Sequence, residues 1–330
     1  MNTLVFDIET VPDVEFGRRL FGLDGLADDE VGKAMQAKAR QDSGSDFLPH
    51  EQHRIVAISC AFRSREGFRV WSLGEENAPE RELVLRFFDG IEKFTPDLVS
   101  WNGGGFDLPV LHYRALRHQV AAPRYWETGD EDTAFRYNNY LGRFHWRHID
   151  VMDVLSGYQN RARASLSDTA VLLGFPGKLG FDGSQVWDAY QRGELTRIRR
   201  YCETDVMNTY LLWLRFEKMR ARLDEAAYQS EIALARVTVA ASDEPHWAEY
   251  LAAWPEEPRR PMHARGRAVV DNASAGDTPL DEVPPLDEAA AAEAAGSTAA
   301  PAEPATIAVV ETTTTTTETT VYIDSPSIRA

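Results

Sequence analysis

Thr3-Leu4-Val5-Phe6-Asp7-Ile8-Glu9-Thr10 is the stretch that decides the fold. Residues 3–8 are β-branched, aliphatic or aromatic except for Asp7, which is the composition of a strand. Side chains alternate along a strand, so Asp7 and Glu9 share one face and Ile8 takes the other. Two carboxylates on one face repel unless a cation lies between them. The pair therefore reads either as a solvated strand end or as part of a cation site.

Moving outward, residues 14–52 are polar and mixed, helical in part, and read as an insertion ending near Pro49. His53–Arg63 and Gly67–Leu73 are a second and third strand, and the short polar link between them suggests a hairpin. Leu83, Phe87, Phe88 and Ile91 have helical spacing within Pro79–Phe94. Asp97–Trp101 is a fourth strand, running through Asn102-Gly103-Gly104-Gly105 into a helix over 106–118. His148–Met152 is a short extended piece. Helices are expected over 165–173, 184–192 and 195–222, with a Gly- and Pro-punctuated loop over 174–183. Antiparallel strands followed by crossover helices give an α/β fold. Its mixed sheet is antiparallel over the first three strands, parallel afterwards, and flanked by helices.

Composition bounds the rest. Eight Trp and fifteen Phe in 330 residues can build a sizeable core over residues 1–254. Beyond that, the chain turns to Pro, Ala, Asp, Glu and Thr, including the run Thr312–Thr317. Such a segment buries too little apolar area to offset ordering entropy, so 255–330 is expected to be a disordered acidic tail. The tail holds thirteen acids against five arginines, a balance of −8, leaving −9 of the total −17 on residues 1–255. That acidity argues against binding long duplex DNA by charge alone. It is compatible with an enzyme whose carboxylates hold divalent metals. Cys60 and Cys202 stand outside any CxxC or Cys/His pattern, so no zinc site is expected, and two lone thiols suit a reducing cytoplasm. No run of about 18 apolar residues and no basic leader is present, which predicts neither a membrane span nor a signal peptide.

Two further acids stand in suggestive places. Asp107 follows the glycines at a strand-to-helix junction, where backbone approaches a ligand closely or where an Asp simply caps a helix. Asp205 lies four residues after Tyr201, on the same helix face, as a functional pair or as a surface Asp beside a half-buried Tyr.

Taken together, Asp7-Ile8-Glu9-Thr10, Asn102-Gly-Gly-Gly-Phe106-Asp107 and Tyr201-xxx-Asp205 resemble the three motifs of the DEDD exonuclease superfamily, in its Tyr-bearing subclass. The second motif is similar to that of family B DNA polymerase proofreading domains. The stretch Phe175-Pro-Gly-Lys-Leu-Gly-Phe-Asp-Gly183 resembles stand-alone predicted 3′→5′ exonucleases related to that domain. The likeness covers about residues 1–215. It implies a ribonuclease H-like fold and an exonuclease that releases nucleoside monophosphates from a 3′ end. In such a family Asp7, Glu9, Asp107 and Asp205 would hold two Mg²⁺ or Mn²⁺ ions, and Tyr201 would orient the attacking water or the scissile phosphate. Thr10 follows Glu9 as in the family and joins the substrate-binding candidates. Asn102 is a candidate contact to the terminal nucleotide, or an ordinary loop Asn. Phe106 would stack on a base or pack in the core, and Lys178 would touch phosphate.

Other segments carry open readings. Asp150 and Asp153 are candidate supporting acids or helix caps. Arg136–Arg147 interleaves Arg with Tyr, Phe and Trp, which suits single-stranded nucleic acid or a half-buried hairpin. The expected partner is the 3′ end of a single strand, DNA more than RNA, in repair or end trimming. An exoribonuclease and a non-catalytic nucleic-acid binder are the competing readings. The tail is expected to recruit a protein partner or solvate the enzyme, and its removal after Trp254 to keep or raise activity. Too little chain remains for a polymerase domain, so no proofreading in cis is expected.

Overall fold

A computed structural model describes residues 2–255, so the tail expected over 255–330 lies, beyond Pro255, outside the described residues. β1 (Thr3–Pro12) runs past the stretch that announced it and is the central strand. β2 (His53–Ser64) pairs with it antiparallel, and β4 (Asp97–Ser100) pairs parallel on the other side. β3 (Gly67–Ser72) and β5 (His148–Asp150) complete the order β3-β2-β1-β4-β5. This is the mixed sheet expected, antiparallel over the first three strands and parallel thereafter. β5 stops two residues short of the expected Met152, because Asp150 turns the chain into a helix.

The alternation along β1 divides the core. Leu4, Phe6 and Ile8 face α3 (Glu80–Phe94) and α4 (Asp107–His118), meeting Leu83, Phe87, Leu108 and Leu111. Val5 faces the other way, with α9 (Leu195–Met219), α10 (Glu225–Ala240) and α11 (Pro245–Ala253) contributing Met207, Leu211, Ile232 and Trp247 to that side. Each fully buried side chain of this kind contributes about 1.5–3 kcal/mol. The last two helices were not anticipated, although Tyr228, Ile232, Ala235 and Val239 recur at helical spacing and are buried.

The insertion after β1 forms α1 (Val14–Phe21) and α2 (Asp28–Ser43). Gly32 of α2 lies so close to Trp187 that a Cβ there would sit 2.9 Å from the indole. A buried ion cluster anchors α4: the Arg114 guanidinium donates to both Asp13 and Glu80, and Glu80 also accepts from Ile55 N at 2.7 Å. The shorter helices are α5 (Pro123–Trp126), α6 (Val151–Leu155), α7 (Leu166–Leu172) and α8 (Val186–Gln191). The alternative hairpin over Arg136–Arg147 is absent; the segment is turns and bends, with Tyr137 and Phe144 exposed.

Candidate active site

Three elements deliver acidic side chains to one end of the sheet. β1 supplies Asp7 and Glu9, which continue the Val5 face toward α9, while Ile8 stays in the opposite core. β4 pairs with β1 only from Thr3 to Val5, then the chain leaves through the glycine turn. The edge of β1 beyond that point is open, and Asp107 fills it: its Oδ1 accepts from Ile8 N at 3.1 Å. The N-cap of α4 is Phe106, so Asp107 does not serve as the cap, and its carboxylate is buried against β1 instead. α9 contributes Tyr201, Cys202 and Asp205. Asp205 is only 8 % exposed, which removes the surface-acid reading.

The glycine turn is itself built by a fifth acid. Asp150 accepts from Asn102 N and Gly104 N, each at 2.9 Å, and caps α6 through Asp153 N at 3.2 Å. The capping expectation for Asp150 therefore holds, and the same carboxylate also shapes the turn leading to Asp107. Asp153 is ion-paired with Arg143 and Arg163. Asn102 adopts φ 67°, a left-handed conformation that Asn tolerates better than most residues. A Cβ at Gly103 would lie 2.4 Å from Ser100 Oγ, so the turn requires glycine there.

Burial and mutual repulsion dominate the electrostatics. Asp7 is held well above the usual carboxylate range by burial and by the charges of Asp107 and Asp205. Glu9 is raised by burial and then by Asp7, Asp205 and Asp107, with Lys178 pulling the other way. Burial pushes Asp107 up to about 7, with the Ile8 amide opposing and Asp150 adding to the rise. Asp205 is pushed up to about 6 by burial, against its hydrogen bond with Tyr201 and the charge of Lys178. The Tyr201 hydroxyl is raised by burial and by Asp205 and Glu9, so it stays protonated and acts as a donor.

The remaining candidates fall differently. Thr10 Oγ1 lies 2.8 Å from His53 Nδ1, which commits its hydroxyl to the fold. Asn102 Oδ1 is buried without a hydrogen-bond partner among the described residues, as a group awaiting a ligand would be. Phe106 is half-buried, with Phe47, His50 and His53 around its ring at centroid distances of 5.3, 6.0 and 5.1 Å. Lys178 is exposed beside Glu9 and Asp205.

One neighbour was missed. Cys202 Sγ lies 3.5 Å from Asp7 Oδ2, and Asp7, Glu9 and Cys202 each offer a donor atom within 4.8 Å of the others. The signal was available, since 198, 202 and 205 share a helix face, but a lone cysteine gave no reason to place it beside acids from β1. Burial holds the Cys202 thiol well above its ordinary range, so it adds no thiolate to the cluster. The donor set is thus carboxylate oxygen, with Lys178 a cation acting on both Glu9 and Asp205. A hard divalent cation fits such a set and relieves its repulsion.

A family model described as a predicted 3′-5′ exonuclease related to the exonuclease domain of PolB matches residues 45–254. That span begins after Asp7 and Glu9, takes in Asn102, Asp107, Lys178, Tyr201 and Asp205, and includes α10 and α11. A DNA polymerase of Pyrococcus glycovorans is 27% identical over 237 residues, covering 66% of this chain and 29% of the polymerase. A DNA polymerase of Archaeoglobus fulgidus is 22% identical over 171 residues, covering 51% of this chain and 21% of the polymerase. Among solved structures, the family B DNA polymerase from Pyrobaculum calidifontis is similar with a TM-score of 0.40 and 20% identity, covering 73% of this chain and 27% of that one. The chain spans less than a third of the length of these polymerases.

Proposed function

Because the chain belongs to the family of predicted 3′-5′ exonucleases related to the exonuclease domain of PolB, we propose that residues 1–254 form a metal-dependent enzyme that shortens single-stranded DNA from its 3′ end. The observation that carries this reading is the convergence of four carboxylates, Asp7 half-buried and the other three buried, and a protonated Tyr from three separate elements. A protein that only bound nucleic acid would have no use for a cluster whose members repel one another.

Asp7, Glu9, Asp107 and Asp205 would hold two Mg²⁺ or Mn²⁺ ions. Such ions, when bound, activate water and stabilise the leaving oxygen. Water adds to the phosphorus of the last phosphodiester, the bond to the 3′ oxygen of the preceding nucleotide breaks, and that oxygen takes up a proton. A nucleoside 5′-monophosphate leaves and the strand ends in a new 3′ hydroxyl. Tyr201 donates its hydroxyl proton toward Asp205 in the absence of substrate and toward the water or phosphate in its presence. This is positioning rather than base catalysis, since its proton is held. Lys178 opposes the negative charge of the phosphate, Asn102 offers its free Oδ1 to the terminal nucleotide, and Phe106 receives the terminal base. Thr10 acts indirectly, by holding His53.

DNA is favoured over RNA by the likeness to DNA polymerases, and repair or end trimming in the cytoplasm is the setting that suits it. The test is a 5′-labelled single-stranded DNA oligonucleotide beside an RNA of the same sequence, with Mg²⁺, Mn²⁺ or EDTA. A metal-dependent ladder shortening from the 3′ end, lost in Asp7→Ala/Glu9→Ala, is expected, with DNA cut faster. Folded, metal-supplied protein that cuts neither strand would return the chain to the binding-module reading.

A further inference from the structure

A cavity of about 430 Å³ opens beside Tyr201, lined by Phe181, Arg197, Arg200, His246 and Glu249 among others. Arg197, Arg200 and Tyr201 stand at i, i+3 and i+4 on α9 and so project from one face. The Arg197 guanidinium lies 4.6 Å over the Phe181 ring, and that ring lies 5.0 Å from Tyr201. α11 closes the far wall with His246 and Glu249.

Three polar atoms on this lining lack hydrogen-bond partners among the described residues although they are buried: Arg200 Nε and both ring nitrogens of His246. The His246 side chain is only 9 % exposed, and its Nε2 lies 3.0 Å from Glu203 Oε2, which seats the ring against that carboxylate without completing a hydrogen bond at either nitrogen. Leaving such atoms unsatisfied is costly unless something that hydrogen-bonds them occupies the cavity. Arg197 and Arg200 are paired with Glu194 and Glu244, at 3.1 and 3.0 Å. Those partners are solvent-accessible, and exposed pairs of this kind exchange readily for a phosphate, which guanidinium binds in a fork.

We propose that this cavity is the subsite for the phosphodiester adjoining the scissile one on its 5′ side, with Arg197 and Arg200 as phosphate contacts, His246 as a hydrogen-bonding partner and Phe181 as the stacking surface for the adjoining base. The 5′ assignment follows from chemistry. The terminal nucleotide ends in a hydroxyl, so the phosphate next to the one Tyr201 meets belongs to the upstream strand. The inference rests on the exonuclease reading and adds to it the segment of strand that the enzyme grips.

The test is fluorescence anisotropy of a labelled ten-nucleotide single-stranded DNA, without metal, in an Asp205→Asn background so that the strand is bound and not cut. Adding Arg197→Gln/Arg200→Gln is expected to weaken binding about tenfold and to lower the dependence of log K on log salt by about 1.4, two contacts at about 0.7 each. Glu249→Gln, which removes the acid from the wall, is expected to tighten binding two- to threefold, a change that misfolding does not produce. In the cleaving enzyme the same double variant raises KM about tenfold and leaves kcat within about twofold. Unchanged affinity and salt slope in the double variant overturns the subsite alone. Failure of the Asp205→Asn parent to bind the strand at all overturns the exonuclease reading and the subsite with it.

Discussion

Asp205→Asn in metal-free protein tests the electrostatic argument most directly. Burial raises Asp205 from an ordinary 3.8 to about 6, so the folded state binds this proton more tightly than the unfolded chain does. A carboxyl raised in this way costs stability as pH increases: the cost begins above the unfolded value, near 4, and is complete above the folded value, near 6. The full cost is about 3 kcal/mol at pH 8, at about 1.4 kcal/mol per tenfold change in proton affinity. Asn keeps an oxygen for the Tyr201 hydroxyl and carries no charge. Its own burial offsets part of the gain, which leaves about 1–2 kcal/mol, or a rise in Tm of about 3–6 °C for a domain of this size. Differential scanning calorimetry in EDTA should show the variant melting above wild type at pH 8, with the gap closing toward pH 4. Saturating Mn²⁺ should reverse the order, because the wild-type site gains a ligand bound only by the folded state and the variant site has lost one of its carboxylates. The reasoning is refuted if the variant melts lower in EDTA at pH 8, or if Mn²⁺ raises both proteins equally.

Other perturbations separate the parts of the molecule. Tyr201→Phe should lower kcat by about 10²-fold, the usual loss for one transition-state donor, and keep the Mn²⁺-induced rise in Tm; loss of that rise would mean the hydroxyl holds the ligand set together. Arg114→Ala takes the shared guanidinium from Asp13 and Glu80, 3 % and 6 % exposed, leaving His118 at 2.8 Å from Glu80 and Arg117 at 3.9 Å from Asp13. It should cost about 3–5 kcal/mol in urea melts; a loss under 1 kcal/mol would show that the cluster relaxes or hydrates. Gly103→Ala places a methyl 2.4 Å from Ser100 Oγ and should displace the turn that sets Asp107, lowering kcat/KM, while adding Ser100→Gly should restore part of it. No recovery in the double variant would locate the damage elsewhere.

The legible parts of this chain are those where chemistry and local pattern coincide. The alternation over Thr3–Thr10 sets which of Asp7, Ile8 and Glu9 face together, and strand pairing only confirms it, because the period of a strand is fixed by its backbone. The helices of α3 and α9 follow from apolar spacing, and the three motifs carry the family before any coordinate is known. α10 was equally periodic but lay beyond the motifs, so its burial was not foreseen.

What tertiary structure decided are relations between distant residues. Asp107 sits in the sequence where a cap belongs, and its carboxylate turns to β1 because β4 ends early and leaves the Ile8 amide open. Asp205 by itself reads more readily as a surface residue, and its burial depends on how α9 crosses β1. Cys202 joined the acids, and Arg200 and His246 came to face one cavity, only because α9, β1 and α11 pack together. Local sequence fixes the direction of a side chain along its own element. Which carboxylates meet, and which charges are removed from water, is set by packing between elements far apart in the chain, and it is there that the unusual proton affinities arise.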